Sequence, residues 1–350
     1  MLREIKIFCT KDWPSTAKAT AGKQDYELLD TGEGEKLERF GPYTFVRPYE
    51  GAVWPKCSTP SVQHLWAKAD GKFWSSKVGA KAGWKMSRGI LDKWEMEYKG
   101  IKFYAWPTPF RHLGFFPEQA SHWDFIANKI TASLSQKKSV EEKENSEGGR
   151  FHPKDGVKPK NFLFPLKPKF LNLFGYTGVA SLFALRAGAE VTHVDASKQS
   201  LASAKENQKL NAELAEAPMR IIEDDVIKFL EREAKRGNKY DAVIMDPPKF
   251  GRGPKGEVWK IEEMLPKLLA SVRKVLSDKP LFIILTSYAT DSSSLSLGYA
   301  LEEMMKPARP PASGAGGNFG GEVEMGELCV LEKSNGRLIP LANTAVWAEK

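Results

Sequence analysis

The second half of the chain alternates short apolar runs with segments whose apolar residues recur at helical spacing. The runs are KFLNLF, EVTHVD, MRIIED, YDAVIMD and LFIILTS, and an amphipathic segment separates each run from the next. One of these segments, VIKFLEREAKRG, ends at Gly237, where a helix C-cap favours glycine. Strands that alternate with helices pair in parallel through crossovers, with helices on both faces of the sheet. The pattern predicts an α/β fold with a mostly parallel sheet over residues 169–350.

Two more strand-like segments follow a loop that is rich in proline and glycine. They are GELCVLEK and GRLIPLANTAVWA, close to the end of the sequence. We expect them to form an antiparallel hairpin at the edge of the sheet.

The first half of the chain lacks this regular alternation of strands and helices. Residues 1–90 carry short strand-like runs without helical periodicity, which predicts a small β-rich or irregular N-terminal domain. Within residues 91–134, the segment WEMEYKGIKFYAW alternates apolar and polar positions around Lys99 and Gly100, a pattern typical of a β-hairpin. A helix near residues 121–134 should then lead into the α/β domain. Residues 135–168 contain KKSVEEKENSEGG and are predicted to be a hydrophilic insertion or linker.

Composition and charge narrow the class of protein. The 350 residues include 52 Lys and Arg against 44 Asp and Glu, and this net charge of +8 favours a polyanionic partner only weakly. No apolar window is long enough to span a membrane, and MLREIKIFCTKDW lacks a secretory apolar core. The three widely spaced cysteines fit a reducing compartment, so we expect a cytoplasmic protein without a structural metal ion. The basic residues between Arg150 and Lys169 form either a solvated loop or a phosphate contact.

A glycine-containing turn links the first predicted strand of the sheet to the first helix. In NLFGYTG, Gly175 and Gly178 would allow a ligand to approach the backbone closely. Asp195 ends the next strand, where a carboxylate can accept hydrogen bonds from both hydroxyls of a ribose. An acid after the third strand can accept from an adenine amino group; Asp225 is our choice and Asp224 the alternative. The alternative for the whole set is an ordinary turn followed by aspartates that cap helices.

The turn lacks the third glycine of the dinucleotide fingerprint. Leu173 and Phe174 stand where that glycine would be needed to accommodate a pyrophosphate. S-adenosylmethionine contains a ribose and an adenine but no pyrophosphate, and it therefore fits the pattern better than NAD.

The fourth strand ends in the motif DPPKF. Asp246 would lie at the same edge of the sheet as Asp195, so both acids should face one cavity. Pro247 and Pro248 cannot donate hydrogen bonds and would leave their carbonyls as acceptors, while Phe250 could stack on a base. The motif predicts a receptor for a flat, polar nucleophile. The simpler interpretation is that the two prolines only end the strand.

Taken together, these motifs resemble the class I S-adenosylmethionine-dependent methyltransferases. The resemblance is to the bacterial large-subunit ribosomal RNA methyltransferases that make 5-methylcytosine or 7-methylguanine, and it covers about Trp94 to Lys350. It is carried by HLGFFPEQ, LNLFGYTGVAS, VDAS, ENQKLN, DDVIKFL and DPPKFGRG. It implies a donor site formed by Phe116, Gln119, Asn172, Phe174, Gly175, Thr177, Gly178, Asp195, Ala196, Ser197, Asp224, Asp225 and Val226. It also implies an acceptor site at Asp246, Pro247, Pro248 and Phe250, with Arg111, Lys249 and Arg252 as candidate substrate contacts.

The sequence departs from this family in two ways. Enzymes that methylate cytosine C5 use a cysteine after the fifth strand, and here LTSYATDSSS has none; Ser287 is a poor substitute because it does not readily ionise. A nitrogen acceptor is therefore favoured, and the resemblance implies that this acceptor lies in RNA, most naturally ribosomal RNA. Second, residues 1–90 do not show the family's usual compact RNA-binding module. Three alternatives stay open: methylation of a small molecule or protein, NAD-dependent oxidoreduction, and RNA binding without catalysis.

Overall fold

The computed structural model describes residues 4–10, 13, 25–75, 82–147, 167–288, 292–306 and 319–349. Side chains are described throughout these ranges except at residues 75 and 137–147. The basic segment that begins at Arg150 lies outside the described residues up to residue 166. Among the helices described, none is long and apolar enough to cross a membrane.

An eight-stranded sheet forms the centre of the α/β half of the chain, and it confirms the predicted mostly parallel sheet with an antiparallel C-terminal hairpin. Its strands, in spatial order, are β1 (Lys6–Phe8), β16 (Gly321–Leu331), β17 (Leu338–Glu349), β15 (Phe282–Ser287), β12 (Ala242–Met245), β9 (Lys169–Leu173), β10 (Glu190–Asp195) and β11 (Met219–Glu223). The five strands from β15 to β11 are parallel, whereas β17 is antiparallel to both of its neighbours. Leu173 is in register with both Val194 and Met245. The residues that follow these strands therefore meet at one edge.

Helices cover both faces of this sheet, as the alternating pattern predicts. They are α3 (Val179–Arg186), α4 (Lys198–Lys209), α5 (Val226–Lys235), α6 (Ile261–Val275) and α7 (Ser294–Met305). The strands between them are buried on both sides, with side chains such as Leu171 in one apolar cluster and Phe170 in another. A short antiparallel ribbon, β13 (Phe250–Arg252) and β14 (Val258–Lys260), follows the DPPK turn.

The N-terminal region contains a five-stranded sheet. Its strands are β2 (Tyr26–Gly32), β3 (Glu35–Phe40), β4 (Tyr43–Pro48), β5 (Gly71–Ser75) and β6 (Ala82–Met86), and α1 (Pro60–Ala67) connects β4 to β5. The next two strands, β7 (Trp94–Tyr98) and β8 (Ile101–Ala105), pair as an antiparallel hairpin. Lys99 and Gly100 form its turn, both with positive φ.

The N-terminal residues are closely joined to the α/β half across the expected boundary at residue 90. Strand β1 pairs with β16 in the large sheet, and Phe40 packs against Phe115 with ring centroids 5.5 Å apart. The loop after β16 also contacts β2, where the backbone N–H of Lys333 donates to the carbonyl of Leu28 at 2.9 Å. The two parts share one aromatic core, which stabilises their relative position.

The helix before the insertion is longer than expected. It is α2 (Ala120–Glu147), preceded by a single 3₁₀ turn over Pro117–Gln119. Residues 135–147, the first part of the predicted insertion or linker, continue the helix. Glutamine, lysine and glutamate favour helix, so a segment too polar to be buried can still be helical.

Candidate functional site

A cavity of about 650 Å³ opens where the large sheet's parallel strands end and the N-terminal sheet approaches. Both Asp195 and Asp246 line it, so the two acids share one cavity. The other predicted site residues in its lining are Phe116, Phe174, Ala196, Ser197, Asp225, Val226, Pro247, Pro248, Lys249, Arg111 and Arg252. A pocket of this size accommodates a small-molecule ligand.

The glycine turn is held in a conformation that few residues adopt. Phe174 and Tyr176 have φ of 56° and 50°, and Gly178 has φ of 82°. A Cβ atom on Gly175 would lie 2.3 Å from Cε1 of His193, which is fully buried beneath the turn. The glycine is therefore required for close packing of the turn on β10.

Several residues of the predicted donor loop lie beside the main cavity. Asn172, Gly175, Thr177 and Gly178 line a small adjoining space of about 50 Å³ together with Gln119. The Asn172 amide donates to Ser181 at 2.9 Å, and the Thr177 hydroxyl donates to the carbonyl of Gly114 at 2.8 Å. These two side chains stabilise the loop by bonds within the protein.

Asp195 is anchored by backbone donors on both carboxylate oxygens. Oδ2 accepts from the N–H of Tyr176 at 2.9 Å, and Oδ1 accepts from the N–H of Ser197 at 2.8 Å. Burial raises the pKa of Asp195, although these hydrogen bonds act in the opposite direction. Each oxygen keeps a second lone pair that can accept from a ligand hydroxyl.

The two acids after β11 have different surroundings. Asp225 lines the cavity, and its Oδ1 caps α5 by accepting from the N–H of Lys228 at 3.0 Å. Asp224 does not line the cavity, and its carboxylate forms an ion pair with Arg232. The geometry thus favours Asp225 over Asp224 as a ligand contact.

Asp246 is partly buried at the end of β12. Its Oδ2 accepts from Nε2 of Gln119 at 3.3 Å. Burial raises the pKa of Asp246 well above its ordinary value, and the nearby Glu118 raises it further. The acid is therefore costly to ionise in the protein alone and would be stabilised by a ligand that donates hydrogen bonds to it.

Two features of the DPPKF turn differ from the expectation. The carbonyl of Pro248 already accepts from Nε1 of Trp259 at 2.7 Å, which leaves one lone pair for a ligand. Phe250 does not line the cavity, although Lys249 and Gly251 do, and 56% of its side chain is exposed. The chain enters the β13–β14 ribbon at Phe250, and this ribbon could not be anticipated from the motif.

Other aromatic residues provide the flat surfaces of the cavity. Phe116 lies against Tyr288 and Tyr176, with ring centroids 5.0 and 5.7 Å apart. Phe174 packs edge-on against Trp259 at 4.8 Å. Tyr288 follows β15 directly and lines the cavity. Its position after a predicted strand could have identified it from the sequence as a site residue. Its neighbour Ser287 is buried and does not line the cavity.

The N-terminal sheet contributes a charged wall that sequence reasoning missed. Lys36 on β3 and Arg47 on β4 line the cavity, and both pair with the fully buried Glu38. Arg47 donates to Glu38 through Nε at 2.6 Å and Nη2 at 2.7 Å. Burial alone would raise the pKa of Glu38, but Arg47 and then Lys36 lower it to about 2. Charged residues in EKLERF and YTFVRP gave no sign that they would be buried.

Comparison with known proteins identifies the family. A family model described as "Conserved hypothetical protein 95" matches residues 161–285. A crystal structure of a SAM-dependent methyltransferase from Agrobacterium tumefaciens is 35% identical, with a TM-score of 0.76, over 99% of this chain and 94% of that one. A Streptococcus mutans structure, described as a candidate methyltransferase complexed with SAH, shares the fold at 15% identity and a TM-score of 0.62, over 94% of this chain and 77% of that one.

Curated relatives match over a shorter stretch. Ribosomal RNA large subunit methyltransferase I from Aeromonas salmonicida is 41% identical over 83 residues, and that from Klebsiella pneumoniae (strain 342) is 42% identical over 84 residues. Each match covers 23% of this chain and only 21% or 20% of the relative. The full-length similarity to the Agrobacterium protein, together with the sheet and its motifs, shows that this chain belongs to the class I S-adenosylmethionine-dependent methyltransferases.

Proposed function

We propose that this protein transfers the methyl group of S-adenosylmethionine to a base nitrogen in RNA, and that its substrate is ribosomal RNA in the cytoplasm. The observation that carries the proposal is the single cavity shared by Asp195 and Asp246. It combines a donor half, built by the ends of β9 to β11, with an acceptor half at the ends of β12 and β15.

The donor half fits the groups of S-adenosylmethionine. Asp195 can accept from the ribose hydroxyls through its remaining lone pairs, and Asp225 can accept from the adenine amino group through the oxygen that does not cap α5. Phe116 and Phe174 supply apolar surface beside them. When bound, S-adenosylmethionine supplies an electrophilic methyl group on a positively charged sulfur.

The acceptor half is suited to positioning a nucleophile. A base nitrogen with a lone pair needs alignment more than chemical activation, and alignment can supply much of the rate. Asp246 can accept from an amino or ring N–H of the base, which orients that base. None of the three cysteines lines the cavity, so the covalent route to cytosine C5 lacks its nucleophile.

Charge around the cavity supports a polyanionic acceptor. Arg111, Lys249 and Arg252 line it together, and Lys249 and Arg252 are exposed. Within the described part of the chain, the guanidinium of Arg111 has one ion-pair contact, at 3.6 Å with the largely exposed Glu50. Cations at a cavity mouth can bind phosphates, and the names of the curated relatives point to ribosomal RNA among polyanions.

The direct test is to incubate the protein with labelled S-adenosylmethionine and three separate pools of possible acceptors. These are undermodified ribosomal RNA, transfer RNA and total protein, followed by digestion of whichever pool becomes labelled. We expect label in a ribosomal RNA base. Asp246→Ala should abolish labelling while S-adenosylhomocysteine still binds, and Asp278→Ala, an exposed acid elsewhere, should behave as the wild type. Label only in protein or in no pool, or full activity of Asp246→Ala, would contradict the proposal.

The contribution of the cavity mouth can be measured separately. Replacing Lys249 by alanine should weaken RNA binding and lower the slope of log affinity against log salt by roughly 1. Lys279→Ala is the matched control, because Lys279 is an exposed lysine that precedes β15 and so lies at the opposite edge of the sheet. Equal slopes for both variants would remove Lys249 from the RNA contact.

A further inference from the structure

Gln119 is 6% exposed, and its side chain contacts three polar side chains. Its Nε2 donates to Oδ2 of Asp246 at 3.3 Å and to the hydroxyl of Tyr288 at 3.0 Å. Its Oε1 lies 2.8 Å from Nδ1 of His122. Gln119 thus connects a residue behind the cavity wall to two residues that line the cavity.

The chemistry of these groups determines the direction of each hydrogen bond. The amide NH₂ of Gln119 donates to Asp246 and to Tyr288, so its oxygen faces His122. That oxygen needs a donor, which places a proton on Nδ1 of His122. Nε2 of the same ring is then an acceptor, and the hydroxyl of Thr344 lies 3.2 Å from it and also 3.2 Å from the carbonyl oxygen of Leu285.

The environment of His122 agrees with a neutral ring held in one tautomer. His122 is 1% exposed, in the first turn of α2, and Thr344 on β17 is fully buried. Burial lowers the pKa of His122 to about 3, so the ring is uncharged at neutral pH. A neutral histidine whose two nitrogens both have partners is suited to orienting a neighbouring amide.

We propose that His122 is a positioning residue, whose Nδ1–H holds the Gln119 amide with its NH₂ toward Asp246 and Tyr288 and so orients both of them for the acceptor. This inference rests on the proposed methyl transfer and adds a residue to it. His122 itself does not line the cavity.

The orientation of Gln119 has consequences on the acceptor side. A flipped amide would place its oxygen against Oδ2 of Asp246, and the hydrogen bond from Gln119 that orients this acid would be lost. In the observed orientation, Oδ2 of Asp246 accepts a hydrogen bond from Gln119. Oδ1 therefore remains available to the acceptor base. Tyr288 receives a hydrogen bond from Gln119, so its own proton can be donated to Glu118 or to a bound base.

Three variants of His122 separate this role from simple packing. The amide nitrogen of asparagine is two bonds beyond Cβ, as Nδ1 is in histidine, so His122→Asn can still donate to Gln119. The amide nitrogen of glutamine is three bonds beyond Cβ, as Nε2 is, so His122→Gln donates from the other position. His122→Leu fills the space without a donor.

We expect His122→Leu and His122→Gln to lower the single-turnover methylation rate by about a hundredfold, the loss typical of a misplaced reacting group. His122→Asn should keep most of the wild-type rate. All three should bind S-adenosylhomocysteine with wild-type affinity by calorimetry. Equal rates for His122→Asn and His122→Leu, whether both fast or both slow, would overturn the proposal.

A second measurement uses the wild-type protein and needs no acceptor. Long-range ¹H–¹⁵N spectra report which ring nitrogen of a histidine carries the proton. At neutral pH we expect His122 to be neutral and protonated on Nδ1, and a proton on Nε2 would overturn the inference. If the wild type binds no S-adenosylhomocysteine, the proposed function fails, and the tautomer still decides the hydrogen-bond network.

Discussion

At the scale of single residues, the cavity brings together acids whose ionisation is opposed by burial. The pKa values of Asp195, Glu118 and Asp246 are all raised. Glu38 differs because two cations contact it, and its pKa is about 2. The three raised acids lie where a ligand would supply hydrogen bonds, whereas Glu38 already has its partners. The direction of the pKa shift therefore distinguishes acids that a ligand could stabilise from Glu38, which stabilises the cavity wall.

Asp246→Asn tests the cost of placing an acid in this position. The folded-state pKa of Asp246 is raised by burial and then by Glu118, so its contribution favours folding at acid pH and is lost as pH rises through that pKa. At about pH 8, Asp246→Asn should therefore increase the free energy of unfolding by about 1 kcal/mol, while methyl transfer is lost. Urea unfolding should show no gain below about pH 4, where the acid is protonated in both states. An equal gain at both pH values would contradict this explanation.

Glu38→Gln should have the opposite effect on stability. The change leaves Arg47 and Lys36 buried without their anion, and breaking a buried ion pair costs about 3–5 kcal/mol. Because the pKa of Glu38 is lowered, the stability it provides is present above the ordinary value of 4.5 and is lost as pH falls toward 2. The difference between variant and wild type should therefore shrink over that range. Glu263→Gln removes an exposed ion pair and should change stability little.

At the scale of elements, the turn between β9 and α3 is the most constrained part of the donor half. Three of its residues have positive φ, and only Gly178 among them is a glycine. For a residue with a Cβ this region is costly, so the turn stores strain at Phe174 and Tyr176. The hydrogen bond from the N–H of Tyr176 to Asp195 offsets part of that strain. The turn and the ribose-binding acid are thus one structural unit.

Gly178→Ala tests that unit. A Cβ here would lie 2.9 Å from Cβ of Ala204 on α4, and the φ of 82° would cost about 1–2 kcal/mol in addition. We expect lower stability in thermal unfolding and weaker binding of S-adenosylhomocysteine. Gly237→Ala is the matched control, because its φ is 72° but nothing lies within 4 Å of the added Cβ. Gly237→Ala should lose stability without losing affinity for this ligand.

At the scale of the whole molecule, the cavity exists because the N-terminal sheet is held against the catalytic half. Ser334, in the loop between β16 and β17, donates its hydroxyl to Oδ1 of the fully buried Asp30 at 2.5 Å. Asp30 also accepts from the backbone of Cys57 and from Nε1 of Trp66. The same loop pairs with β2 through the backbone of Lys333. Loosening this contact should open the acceptor side of the cavity before the donor side.

Ser334→Ala and Lys333→Ala measure this contact in two ways. Loss of the Ser334 hydroxyl leaves a buried carboxylate with one donor fewer, which should cost about 1–3 kcal/mol of stability. Lys333 forms an ion pair with Glu27, but 63% of its side chain is exposed, and its loss should matter little. We also expect Ser334→Ala to raise KM for the acceptor while the affinity for S-adenosylhomocysteine is unchanged. Equal KM values for the two variants would show that the contact does not support the acceptor side.

The sequence by itself determined the parallel sheet and the edge on which the chemistry lies. Alternating strands and helices require crossovers, and crossovers bring the residues after each strand to one edge, so Asp195, Asp225 and Asp246 could be located without coordinates. The helix propensity of residues 135–147 would also have predicted that α2 extends beyond residue 134. We expected a linker there instead because the segment is highly polar. These features are local, because each depends on the residues within one strand, turn or helix.

Only the tertiary structure decided which side chains complete the cavity. Lys36 and Arg47 reach it because a separate sheet packs against the strand ends, and no local pattern encodes that contact. Phe250 leaves the cavity because the turn continues into a ribbon, and Tyr288 takes its place as an aromatic surface. The physical reason is that periodicity reports whether a residue is buried and on which face of its element, whereas the partner across the interface depends on how distant elements pack.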